Sequence, residues 1–220
     1  MINIVSGIEV LYLFILSNHD CEMVEVEGRK EALGSVCIVN SYGNTIYKSY
    51  AKPESFITNY RTRWSGLTYG MLERAPPAAS VKRDVAMILR NKIVVGHNLQ
   101  KDFQVLDYQH DDPERVRDSY CYEPLMSERD IVVKKKSSIA QEQSEEDQQP
   151  VVVEYETVKR LYPQALKKLA KKYLAVDIQT YEHSAEEDSL ASMMIYNKHS
   201  VDWESLFNRK NQKFDLLSIE

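Results

Sequence analysis

Cysteine is scarce in this chain. Cys21, Cys37 and Cys121 are scattered over 220 residues and form no C-x-x-C pair. A set so sparse and odd in number argues against a disulfide framework and fits free thiols in a reducing compartment. An excess of positive charge is missing too. The 28 Lys and Arg are outnumbered by 33 Asp and Glu, for a formal net charge of −5. The basic surface that usually announces a nucleic-acid binder is therefore not advertised by composition. Long apolar runs are absent as well. The most apolar stretch, residues 4–16 (IVSGIEVLYLFIL), is interrupted by Glu9 and too short to span a bilayer. Met1-Ile2-Asn3 puts no positive charge ahead of it, so a signal peptide is not expected. Internal repeats are also lacking. What remains is a chain long enough for one globular domain with a real core.

Strand and helix signals alternate, which argues an α/β fold. Strands are expected near 11–24, 33–40 and 45–52, the last two joined by a hairpin at Gly43-Asn44. Val81, Val85, Ile88 and Leu89 recur at helical spacing, KIVVGHN reads as a buried strand, QKDFQVLDY as a helix and RVRDSY as a strand. YPQALKKLAKKYL is an amphipathic helix with Leu166, Leu169, Ala170 and Tyr173 on one side, lysines opposite and Pro163 in its first turn. Ser184 and Glu187 form a capping box that opens a last helix. Between them, residues 126–157 are expected to form a flexible acidic insertion. Residues 128–156 hold eight acids against four bases, a net of −4, so most of the chain's −5 resides there. The rest is nearly neutral, and the objection to a polyanionic substrate weakens. The expected organisation is a single domain over 11–208 containing this insertion, with tails at 1–10 and 209–220.

The chemistry is carried by acids. Asp20 and Glu22 follow the apolar run LYLFIL, and in a strand residues two apart point the same way. Two like charges side by side call for a counter-charge, and a divalent cation with oxygen ligands is the usual one. A solvated strand end is the plainer reading of that pair alone. Asp102, on the helix after GHN, and Asp188, five residues after His183, are each unremarkable singly. Their order is not: D-x-E at a strand end, D on a helix, then H-x-x-x-x-D.

With those residues in view, the chain resembles a known family. D-C-E-M-V, V-G-H-N-L-Q-K-D-F-Q-V-L and E-H-S-A-E-E-D-S-L-A look like the three motifs of the DEDDh 3′→5′ exonucleases. N-Y-R-T-R-W-S-G, from Asn59 to Gly66, is similar to the RNA exonuclease 4 and interferon-stimulated exonuclease branch. The resemblance implies a ribonuclease-H-like mixed β-sheet flanked by helices. It implies that Asp20, Glu22, Asp102 and Asp188 hold two divalent ions, magnesium or manganese, and that His183 is the general base. It implies that Met23 and Arg61 face the nucleotide. Tyr60, Arg63 and Trp64 are further candidates to grip a single strand, although Trp64 suits a core equally. His97 reads as structural, and Asp118, of the pair Arg117-Asp118, is given no catalytic role. One departure is plain: Ser17-Asn18-His19 stand where the family has an apolar approach to its first motif.

The implied activity is metal-dependent 3′→5′ hydrolysis of RNA, single-stranded or precursor (ribosomal RNA among them), to nucleoside monophosphates. The alternatives are a DNA-preferring exonuclease and a catalytically weak nucleic-acid-binding protein. The branch implies a nuclear or nucleolar location, with the cytoplasm as alternative, and no membrane partner. Oligomeric state is left open.

Overall fold

The structure is a computed structural model and describes residues 10–14, 23–135, 154–180 and 184–217, with side chains over 23–135, 154–180 and 184–207. In chain order it contains β1 (Val10–Phe14), β2 (Met23–Val26), β3 (Lys30–Leu33), β4 (Ser35–Asn40), β5 (Thr45–Tyr50) and β6 (Ile57–Asn59). Two short helices, α1 (Thr62–Ser65) and α2 (Tyr69–Glu73), precede α3 (Ala78–Leu89). Then come β7 (Ile93–Gly96), α4 (Leu99–Leu106), β8 (Val116–Asp118), β9 (Ser127–Lys134) and β10 (Tyr155–Tyr162). The chain closes with α5 (Leu166–Leu174) and α6 (Ala185–Leu217).

Among the described residues the main sheet has the order β5-β4-β1-β7-β8. β1 is antiparallel to β4 and parallel to β7, and β7 is parallel to β8. Composition explains the ranks of these strands. β4 (SVCIVN) and β7 (IVVG) are apolar on both faces and lie inside the sheet, while β5 (TIYKSY) is largely exposed and forms an edge. The turn between β4 and β5 is the expected hairpin. Asn40 Oδ1 accepts from the N–H of Tyr42 and of Asn44, each at 3.0 Å. Gly43 takes φ +83°, a left-handed conformation, and a Cβ there would come 3.1 Å from the side chain of Leu190.

The period of two along the strands sorts the core into two layers. Cys37, Val39, Ile93 and Val95 face a cluster built with α5 and α6. Val36, Ile38 and Val94 face the opposite layer, with α3 and α4. A second sheet, β3-β2-β6, closes over Leu67 and Leu72 of the α1–α2 region. On α5 the expected stripe is buried: Leu166, Leu169 and Ala170 are at most 2 % exposed. The helix starts at Leu166, so Pro163 lies ahead of it and not in its first turn.

Three expectations are corrected. The strand expected over 11–24 is two strands in two different sheets, β1 and β2; residues 15–22 lie outside the described residues. The acidic insertion is not flexible throughout. Its flanks form an antiparallel hairpin, β9 with β10, in which Ile131 pairs with Val158 and Glu128 bonds Lys159 at 2.6 Å. The polar centre dominates the composition of that span and masked the β-branched flanks; residues 136–153 lie outside the described residues. Finally, residues 209–217, expected in a tail, continue α6. The far half of that helix is clamped to the sheet. Arg117 of β8 donates from Nε and Nη2 to the two oxygens of Glu204, each at 2.8 Å, and its guanidinium lies 3.8 Å from the centre of the Phe207 ring.

Leu169→Ala should lower stability by about 3 kcal/mol, since the side chain is wholly buried between sheet and helices and its loss leaves a cavity. Urea unfolding followed by circular dichroism measures this; a loss under about 1 kcal/mol would mean that the site collapses to fill the gap.

Candidate active site

Because β1, β7 and β8 are parallel, their C-terminal ends open on one edge of the sheet. β1 ends there at Phe14, and two further described segments reach the same edge. Two residues separate the end of β7 at Gly96 from the start of α4, which carries Asp102. The start of α6 reaches the same edge from the other face. Lys48 pairs with Cys37, and Cys37 with Phe14, so Lys48 stands level with the end of β1. Lys48 Nζ binds Glu186 in the first turn of α6 at 2.8 Å. The first turn of α6, with Asp188, is thus tied to the edge at which β1 ends.

Asp102 is completely buried, and neither of its oxygens receives a hydrogen bond from another described residue. Burial pushes its carboxyl well above the usual carboxylate range, the negative charge of Asp118 pushes the same way, and Lys101 opposes them. Such a group is costly unless a cation meets it, and a hard divalent ion suits a bare carboxylate. Asp118 is treated differently. Its oxygens accept the N–H groups of Asn98 at 2.7 Å, Leu99 at 2.9 Å and Tyr120 at 2.9 Å. It thereby caps α4 from the neighbouring strand and ties down the helix that presents Asp102. Burial raises the Asp118 carboxyl, and these three donors oppose the rise.

Asp188 is also completely buried. Ser184 supplies its half of the expected capping box, since Glu187 N donates to Ser184 Oγ at 3.4 Å and Asp188 N to Ser184 O at 3.0 Å, while the Glu187 carboxylate is directed to Gln179. Three successive acids, Glu186, Glu187 and Asp188, fill the first turn, where the helix dipole favours negative charge. Each has its own contact. Glu186 binds Lys48, Glu187 accepts the backbone N–H of Gln179 at 3.0 Å, and Asp188 Oδ2 accepts Gln179 Nε2 at 2.9 Å. Beside Ser184 lies an open cavity of about 350 Å³, lined among others by Ser35, Lys48, Tyr50, Leu67 and Met71.

Asp20, Glu22 and His183 lie outside the described residues, His183 immediately ahead of the Ser184 cap. Among the described residues no group of three or more His, Cys, Asp or Glu stands ready to hold an ion. Asp102 and Asp188 fit the metal-ligand reading by chemistry, as buried carboxylates on helices that begin at one edge. Met23 and Arg61, expected to face the nucleotide, both have protein neighbours among the described residues. Met23 is wholly buried in the core with Leu33, Val36 and Ile38, because β2 turns it toward the α3–α4 layer. Arg61 directs its guanidinium to Glu31 at 2.8 Å and Glu25 at 3.6 Å, bracing β2 against β3. Trp64, by contrast, is 44 % exposed and not part of the core. His97 is structural: buried, with Nδ1 2.9 Å from Ser119 Oγ and a pKa lowered by burial to about 4. Gln179 was missed altogether; nothing in its local sequence marks it.

Comparison with known proteins places this arrangement. Residues 18–121 match the exonuclease (RNase_T) family model, so the chain carries an exonuclease domain of that family. It is 32 % identical over 197 residues to RNA exonuclease 4 of Mycosarcoma maydis, which covers 88 % of this chain and 44 % of the relative. It is 32 % identical over 187 residues to the human apoptosis-enhancing nuclease, covering 84 % and 50 %. The chain thus spans about half the length of the curated relatives it matches. Among solved structures, the Neurospora crassa Pan2 catalytic unit aligns with a TM-score of 0.60 at 18 % identity, over 100 % of this chain and 31 % of that one. A Saccharomyces cerevisiae Pan2 exonuclease module in complex with A7 RNA aligns at 0.56 and 19 %, over 97 % and 32 %. At such identities the likeness is one of fold, and the fold is ribonuclease-H-like.

The raised Asp102 carboxyl sets a pH dependence. The folded chain holds a proton that the unfolded chain releases, so this contribution is complete below the ordinary carboxylate range, about pH 4, and is lost as pH rises. In EDTA the stability of the native chain should therefore fall from about pH 4 toward neutrality. Asp102→Asn should flatten the fall and exceed the native chain in stability at neutral pH, as read by urea unfolding across pH. An Asn variant less stable than native at neutral pH would show that Asp102 is already compensated.

Proposed function

We propose that this chain is a DEDDh-type, metal-dependent 3′→5′ exonuclease that hydrolyses RNA to nucleoside monophosphates. The observation that carries the reading is Asp102: a fully buried carboxylate without a donor from another described residue, at the sheet edge toward which β1 and the first turn of α6 also converge. The exonuclease domain match and the relatives named RNA exonuclease 4 support hydrolysis and favour RNA, as does the A7 RNA in complex with the Saccharomyces cerevisiae Pan2 module.

In this reading Asp20, Glu22, Asp102 and Asp188 would hold two divalent ions, magnesium or manganese, which would supply Lewis-acid stabilisation of charge on the phosphate oxygens. His183 takes the proton of the attacking water. A histidine ordinarily titrates near pH 6.5, so a neutral ring is available at working pH. The cavity beside Ser184, next in sequence to His183, receives the 3′-terminal nucleotide, and exposed Trp64 offers a face for base stacking. The place of action in this reading is the nucleus.

The test is a labelled-strand assay. Native chain and Asp188→Ala are incubated with 5′-labelled single-stranded RNA and DNA, in manganese, magnesium or EDTA. A one-nucleotide ladder shortening toward the label is expected on RNA, lost in EDTA and reduced to background in the variant. Release of labelled mononucleotide at the outset would reverse the polarity, and faster shortening of DNA would reassign the substrate. Stable RNA binding in metal without shortening, by folded protein, would leave a binding module only.

A further inference from the structure

We infer that Gln179 is the positioning residue for Asp188, holding that carboxylate in the orientation in which it meets a divalent ion. The inference rests on the reading of Asp188 as a metal ligand. Gln179 lies in the connection between α5 and α6 and has φ +56°, a left-handed conformation that a residue with a side chain adopts only when its surroundings impose it. The surroundings are on hand. The backbone oxygen of Gln179 accepts Lys167 Nζ at 2.9 Å, its N–H donates to Glu187 Oε2 at 3.0 Å, and its Nε2 donates to Asp188 Oδ2 at 2.9 Å. The connection is pinned on either side as well. Asp177 binds Lys171 at 2.5 Å, and Ile178 is buried against α5 and α6. Two lysines of the α5 polar face are thus engaged with this connection.

The chemistry of the donor matters. A lysine or arginine at this place would neutralise Asp188 and compete with a cation. A carboxamide fixes the plane of the carboxylate through one oxygen and leaves its charge intact. Ligating carboxylates are commonly held in this way by outer hydrogen bonds, and losing such a partner costs about 10- to 100-fold in metal affinity.

The test uses the full chain and four proteins: native, Gln179→Met, Gln179→Gly and Asp188→Ala. Manganese binding is measured by calorimetry, and RNA shortening is followed across manganese concentration. Met keeps the volume and removes the donor. Gly removes the donor and relieves the left-handed backbone, so it should fold at least as well as native. Both Gln179 variants are expected to bind manganese about 10- to 100-fold more weakly, and to need proportionally more of it for half-maximal rate. Most of the rate should return at saturating metal, with circular dichroism unchanged. A purely structural role would instead leave Gln179→Gly with native affinity. Native affinity in both variants, with Asp188→Ala inactive, overturns the inference alone. Native binding and turnover in Asp188→Ala overturns the reading of the site beneath it.

Discussion

Asp102 sets the terms for the rest of the molecule. A carboxylate cut off from water and given no donor by a neighbouring side chain strains any fold that contains it. The strain is tolerated because the residue is carried on a helix with a fixed start. That start depends on Asp118, whose carboxylate gathers the N–H groups of Asn98 and Leu99 at the mouth of α4 and of Tyr120 beyond β8. The pairing of Gly96 with Asp118 puts the cap where the helix needs it. Removing water from Asp102 while supplying Asp118 with three donors makes two nearby acids unlike. One is a solved structural problem; the other is open to a cation.

Asp188 shows a third treatment of a buried acid. Its helix begins with three acids in succession, each directed to a different place by the packing around it. Glu186 locks the helix to Lys48 and so to the end of β1. Glu187 and Asp188 are both tied to Gln179. The two helices with the described carboxylates belong to opposite layers of the sheet, α4 with one core cluster and α6 with the other. They approach a common place only where the sheet ends. The clamp of Arg117 on Glu204, backed by Phe207, holds the far half of α6 against β8 and keeps its long lever from tilting that first turn.

How legible the molecule was from its sequence can be argued residue by residue. The apolar runs SVCIVN and IVVG and the helical stripe of LKKLAKKYL depend only on local pattern, and those elements stand where the pattern put them. The Ser184 cap is equally local. The span 126–157 failed because an acidic centre concealed two β-branched flanks that stabilise each other only when paired. A motif names residue types without saying which neighbours will hold Met23 and Arg61. Leu33, Val36 and Ile38 enclose the first, and Glu31 and Glu25 engage the second.

The sequence by itself determined the class of fold and the identity of the acids, since side-chain chemistry and short-range periodicity are properties of the chain before it folds. Only the tertiary structure decided what each acid is for. Asp102, Asp118 and Asp188 are the same residue type, and their roles diverge through burial and through donors brought from 19 and 20 positions away or across a loop. Gln179 owes its place wholly to that assembly. A strained backbone, a lysine one helix earlier and two acids on the next converge on it, and none of those distances exists until α5 and α6 are packed on the sheet.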